Sequence, residues 1–137
     1  MVSDYFPWDP AQYSLKIQSM DDEHRTLIAK MNELRAQHDS GKPFSAVDRA
    51  LTDLVVYTKQ HFADEEGYME RIGYPRLRIH KGIHEQLLAR LSELQRDCRA
   101  HQKLTEELFL FLRMWLKAHI CGIDAQYAEY ARKSNVA

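Results

Sequence analysis

The stretch Leu51-Thr52-Asp53-Leu54-Val55-Val56-Tyr57-Thr58-Lys59-Gln60-His61-Phe62-Ala63-Asp64-Glu65 spaces its apolar residues as a helix does, then sets a histidine and a glutamate four residues apart. Val47, Leu51, Leu54, Val55, Thr58, Phe62 and Met69 share one broad face, which predicts a helix over 45–72. Gly73, Tyr74 and Pro75 end it, glycine at the C-terminus and proline just beyond. Upstream, Leu27, Ile28, Met31 and Leu34 predict a helix over 19–38, capped by Ser19 or Asp21, with residues 39–43 as a loop. Downstream, Ile83, Leu87, Leu88, Leu91 and Leu94 predict a helix over 76–99. Leu108, Phe111, Leu112, Trp115 and Leu116 predict a last one over 104–132, with His101 in the link before it. Residues 1–18 read as an irregular arm, since Pro7 and Pro10 oppose helix while Trp8 and Tyr13 can anchor it. Four amphipathic helices with links of about 3–7 residues are the sequence form of an all-α, up-down-up-down antiparallel four-helix bundle. The expectation is one domain over 1–137.

Composition narrows the function classes. The chain has 137 residues, enough for a single core, and only 5 Gly and 4 Pro, too few for a many-stranded sandwich. Nineteen basic and 20 acidic side chains give a net charge of −1, with no footprint for nucleic acid or an anionic membrane. No apolar run approaches the ~18 residues of a membrane span, and the first residues carry no secretory pattern. Cys98 and Cys121 have neither disulfide nor zinc spacing, so reduced thiols and a cytoplasmic location are expected.

Seven histidines are many for this length, and five of them fall at one level. His61 with Glu65 and His80 with His84 are i, i+4 pairs, whose side chains stand one turn apart and about 40° round the helix. Alone, such pairs are ordinarily solvated. His24, however, lies near the start of the first helix; the chain descends ~21 Å to His38 and climbs ~24 Å to His61, returning to the same height. Glu65 and His80 flank the Gly73 turn, and His84 and His119 each lie about 15 residues from the far ends of their helices, so all converge near one end. Asp124 follows His119 by five residues, about 140° away in a regular helix, so both aim inward only if the helix bulges, which Gly122 permits. His38 and His101 fall at the opposite end, as a helix-dipole partner and a surface residue.

The run from His61 through Glu65 to Met69, continuing to Tyr74-Pro75, His80 and His84, resembles the hemerythrin signature. So do Met20-Asp21-Asp22-Glu23-His24 and Trp115-Leu116-Lys117-Ala118-His119-Ile120, followed by Asp124 and Tyr127. The likeness covers Trp8 to about Tyr130 and fills all seven ligand positions; Lys16, where the family often has glycine, departs from it outside the ligand set. It implies His80, His84 and His119 on one iron, His24 and His61 on a second, and Glu65, Asp124 and an oxo or hydroxo oxygen as bridges. It also implies that dioxygen binds at the second iron and that Trp8 packs over this end.

The donor chemistry agrees with that implication. Five imidazoles and two carboxylates suit iron better than magnesium or calcium, and they would crowd a four-coordinate zinc. Ferritin-like diiron sites use four Glu, whereas only two anions appear here, which favours giving electrons to dioxygen and taking them back. Leu27, Phe62, Trp115 and Leu116, each within a turn of a ligand, can line a dry pocket while serving as core. Glu66, Asp64 and Glu85 read as solvated acids. The expected function is therefore reversible dioxygen binding for storage, transport or delivery to an oxygen-consuming enzyme, by a stand-alone monomer that is not itself an enzyme. The alternatives are an oxygen or redox sensor domain and a diiron oxidase or peroxidase.

Overall fold

A computed structural model describes residues 5–134. Helices α1 (Pro10–Tyr13), α2 (Gln18–Asp39), α3 (Phe44–Arg71), α4 (Leu77–His101), α5 (Glu106–Ala118) and α6 (Ala125–Lys133) follow in order, with a π-helical turn, His119–Asp124, fusing α5 to α6. There is no strand among the described residues. The links α2–α3, α3–α4 and α4–α5 are short, so each helix packs antiparallel on its predecessor, α2 on α3, α3 on α4, α4 on α5.

The stripes read from the sequence form the core. Leu27, Ile28, Met31 and Leu34 of α2 meet Val47, Leu51, Leu54 and Val55 of α3, all buried. In α4 only Leu91 and Leu94 of the expected stripe are fully buried; Ile83, Leu87 and Leu88 are half-buried because His80 and His84 take the inward positions there. In α5 Phe109 is buried and Phe111 only half so, a reversal set by the ring of Tyr5, which meets Phe109 edge-on at 5.7 Å. Between α3 and α4 the chain reverses at Gly73, whose φ of +69° glycine adopts without steric cost, and Tyr74 N–H donates to Met69 O at 2.9 Å.

Three local expectations are corrected. Pro10 does not oppose helix but starts α1, at a position where the missing N–H has no partner to lose, and Asp9 Oδ1 accepts from Ala11 N–H at 3.0 Å. The cap position of α2 is Ile17, not Ser19 or Asp21; Asp21 instead accepts from Ser14 Oγ (2.6 Å) and Leu15 N–H (2.8 Å), clamping the arm. His101 ends α4 rather than lying in the link, its Nδ1 donating to Asp97 O at 2.8 Å. The arm itself is anchored along α2 and α5: Asn32 exchanges two hydrogen bonds with the Phe6 backbone (2.6 and 2.8 Å), and Tyr5 Oη donates to Phe109 O. Its α1 segment lies against the π-helical turn, which puts the arm over the histidine-rich end.

Candidate metal centre

Each helix of the bundle delivers part of one cluster: His24 from α2, His61 and Glu65 from α3, His80 and His84 from α4, His119 and Asp124 from the π-helical turn. All seven are buried. The π-helical turn accounts for the five-residue spacing, because i→i+5 bonding brings residue 124 back over residue 119. The expected irregularity near Gly122 is thus a wide turn rather than a kink.

The donor atoms form two adjoining groups that share both carboxylates: Glu65, His80, His84, His119 and Asp124 in one, His24, His61, Glu65 and Asp124 in the other. In the first, His119 Nε2 lies 3.2 Å from both His80 Nε2 and His84 Nε2. Glu65 Oε1 is 3.0 Å from His84 Nε2, and Asp124 Oδ1 is 3.1 and 3.0 Å from His80 and His119 Nε2. In the second, Glu65 Oε2 lies 3.3 and 3.4 Å from His24 and His61 Nε2, and Asp124 Oδ2 lies 3.1 Å from His24 Nε2. Glu65 therefore turns one oxygen to three imidazoles, His80, His84 and His119, and the other to two, His24 and His61, while Asp124 turns one oxygen to His80 and His119 and the other to His24.

Polar groups buried this deeply need partners, and several here lack them. Both Asp124 oxygens and both His24 nitrogens make no well-formed hydrogen bond, despite the close His24–Asp124 approach. No Lys or Arg among the described residues pairs with Glu65 or Asp124. Converging imidazole nitrogens and uncompensated carboxylates leave a place for cations, so this donor set fits a metal pair.

Without metal, protons take that place. Burial works against a charged His61, but the Glu65 charge and the Glu23 hydrogen bond outweigh it and raise its pKa to about 10. His119 is likewise raised to about 9 against burial, by Asp124. Burial and Glu65 push Asp124 up, yet His119 and His24 bring it down to about 2, and Glu65 is held well below the usual carboxylate range by His61 and its neighbours.

Three groups around the cluster orient it, and the sequence did not reveal their roles. His61 Nδ1 donates to Glu23 Oε1 at 2.7 Å and His84 Nδ1 to Glu66 Oε2 at 2.8 Å, which leaves each Nε2 facing inward. Tyr127 Oη donates to Glu65 Oε2 at 2.9 Å. Glu66 is thus not a solvated acid: it stands 100° round α3 from Glu65, on the flank that faces α4. The available signal was adjacency, since an acid next to an inward ligand on a helix points at the neighbouring helix.

The apolar residues expected around the site lie as follows. Phe62 stacks on the His84 ring, with centroids 3.8 Å apart and planes 4° off parallel, and meets Trp115 and His119 at 5.7 and 5.8 Å. Trp115 is 5.9 Å from His119, and Leu27 and Leu116 are buried in the same core. Trp8 is half-buried in the arm against Tyr13 (5.8 Å), with the Arg25 guanidinium 4.9 Å over its ring. A crevice of about 60 Å³ between Arg76, Ile79, Ile83 and Ile123 reaches His80. No helix is long and apolar enough to cross a membrane among the described residues.

Comparison with known proteins gives a consistent picture. The family model described as hemerythrin HHE cation binding domain matches residues 15–131. The chain is 38% identical over 120 residues to a bacteriohemerythrin of Pseudomonas aeruginosa, covering 86% of this chain and 76% of that one. It is 33% identical to a myohemerythrin of Riftia pachyptila, covering 89% and 90%. A crystal structure of wild-type hemerythrin superposes with a TM-score of 0.82 at 28% identity, over 90% of this chain and 95% of that one.

Proposed function

The chain belongs to the hemerythrin family, and from that premise we propose that it binds dioxygen reversibly at a pair of irons held by His24, His61, Glu65, His80, His84, His119 and Asp124. One observation carries the reading: two buried carboxylates, each with one oxygen toward the His80, His84 and His119 group and the other toward the His24 and His61 group. That division supports His80, His84 and His119 on one metal, His24 and His61 on the other, and Glu65 and Asp124 between them. The second position has fewer protein donors and is where an exogenous ligand would enter.

The iron pair, when bound, supplies two electrons that dioxygen can accept and return. The protein's part is to hold and shield. Neutral imidazole dominates the donor set, which disfavours permanent oxidation compared with carboxylate-rich centres. Glu23 and Glu66 fix the ring orientations of His61 and His84, and the Tyr127 hydroxyl holds one Glu65 oxygen. Phe62, Trp115, Leu27 and Leu116 keep bulk water from the centre, with Trp8 in the arm above this end. Free thiols at Cys98 and Cys121 support work in a reducing, cytoplasmic compartment.

The test is optical spectroscopy of the anaerobically reduced protein before and after air, with metal analysis. A coloured adduct that bleaches under argon with Fe(II) retained supports carriage. Prompt, irreversible conversion to ferric iron with peroxide release supports an oxidase instead. Two irons per chain are expected, with at least one lost in His80→Ala or His119→Ala; full iron in both variants would refute the ligand assignment.

A further inference from the structure

Apart from the metal centre, the molecule has a second concave site. A cleft of about 320 Å³ opens between the start of α2, the end of α3 and α6. Its floor is apolar, formed by Leu15, Tyr68, Ala128 and Ala131, all buried. Three cations line it, Lys16, Arg71 and Arg132, and the Ser19 hydroxyl adds a donor. None of the three pairs with a carboxylate among the described residues, and Glu129, the acid nearest them on α6, is taken by Lys133 at 2.9 Å. The chain as a whole carries a net charge of −1, so this is a local concentration of positive charge and not a general excess.

Lys16 adds an independent observation. Its φ of +61° lies in the left-handed region that L side chains rarely adopt. Glycine would take this conformation freely, yet the position carries a lysine on the lining of the cleft. Arg71, for its part, stands with its guanidinium carbon 5.8 Å from the ring centroid of Tyr68, beside the apolar floor.

We propose that this cleft binds a small organic dianion, a phosphate monoester with a flat apolar body, whose charge meets Lys16, Arg71 and Arg132 and whose body lies on Tyr68 and the two alanines. Three cations call for more than one negative charge, and the volume and apolar floor call for more than a bare phosphate. The cleft is separate from the seven-donor cluster and its occupancy does not depend on which metal that cluster holds.

Phenyl phosphate titrated into the metal-loaded protein at fixed ionic strength, followed by calorimetry, tests this. Saturable one-to-one binding is expected, weakened about tenfold by Arg71→Gln and by Arg132→Gln, and unchanged by Arg96→Gln, an exposed arginine on α4. Lys16→Gly is expected to weaken binding while raising the melting temperature, since it removes a cation and relieves the backbone together. Wild-type affinity in the Arg71 and Arg132 variants overturns the proposal, because the anion then sits elsewhere, the metals included. So does inorganic phosphate binding as tightly as phenyl phosphate, or a titration that does not saturate.

Discussion

Phe62→Ala removes a ring that is both core and support for two histidines. The side chain is 2% exposed, lies flat on His84 at 3.8 Å and meets Trp115 edge-on at 5.7 Å. Truncating a buried Phe costs about 3–5 kcal/mol, from lost transfer energy and the void left behind. The neighbouring His84 and His119 are tied to the donor cluster by their ring nitrogens and cannot collapse far into the space, which places the cost at about 4 kcal/mol. An unfolding entropy of about 2.1 cal/mol/K per residue over this chain is about 0.29 kcal/mol/K, so Tm should fall by about 14 °C. Phe62→Leu keeps most of the volume and should lose only about 1 kcal/mol, or about 3 °C. Far-UV circular dichroism melts at matched iron content measure both, because metal binding itself raises Tm. The void also borders His119, so the reduced alanine variant should oxidise faster in air than wild type. A Tm loss below about 4 °C in Phe62→Ala, the scale of a half-exposed site, would refute the packing argument.

Other perturbations probe the shell around the donors. Tyr127→Phe deletes the hydroxyl given to Glu65 at 2.9 Å and should lower stability by about 1.5 kcal/mol, about 5 °C in the same melt, with iron retained. Glu66→Ala and Glu23→Ala free the outer nitrogens of His84 and His61 and should each reduce metal affinity about 10–100-fold in chelator competition; unchanged affinity would remove them from any orienting role. In metal-free protein, His61 and His119 are raised to about 10 and about 9, so their contribution is complete below about pH 6.5 and disappears as pH rises through 9 to 10. Asp124, lowered to about 2, contributes above its ordinary value and loses that contribution as pH falls through about 2. Metal-free Tm should therefore peak in mildly acid solution and decline toward pH 9, whereas iron replaces those protons and removes the alkaline decline; a flat metal-free profile from pH 6 to 9 would contradict this.

Much of this was legible because helices convert spacing into height and direction. The apolar residues of α2 and α3 needed only period, and the meeting of His24, His61 and the histidines of α4 needed only the rise per residue. The five-residue step to Asp124 announced an irregular turn, though not its π-helical form. What escaped depends on partners from other elements. Phe109 rather than Phe111 is buried because the N-terminal arm lays Tyr5 against it. Asp21 clamps the arm instead of capping its own helix, and Glu66 turns to a ring on the next helix. Local pattern cannot choose between a carboxylate in water and one aimed at a neighbour, since the polar–apolar contrast is the same.

The π-helical turn gives this bundle an unusual tolerance to changes in chain length. An extra residue in an ordinary helix rotates everything beyond it by about 100°, but the wide turn has already absorbed one, and Tyr127, Ala128 and Ala131 still face the interior. Deleting Gly122 would let the segment relax to regular pitch with α6 still in phase, drawing together only the two donors on either side of the gap. The same deletion between His61 and Glu65 would swing the rest of α3 out of alignment. Evolution can thus adjust the grip of this last helix by an insertion or deletion, without renegotiating the rest of the architecture.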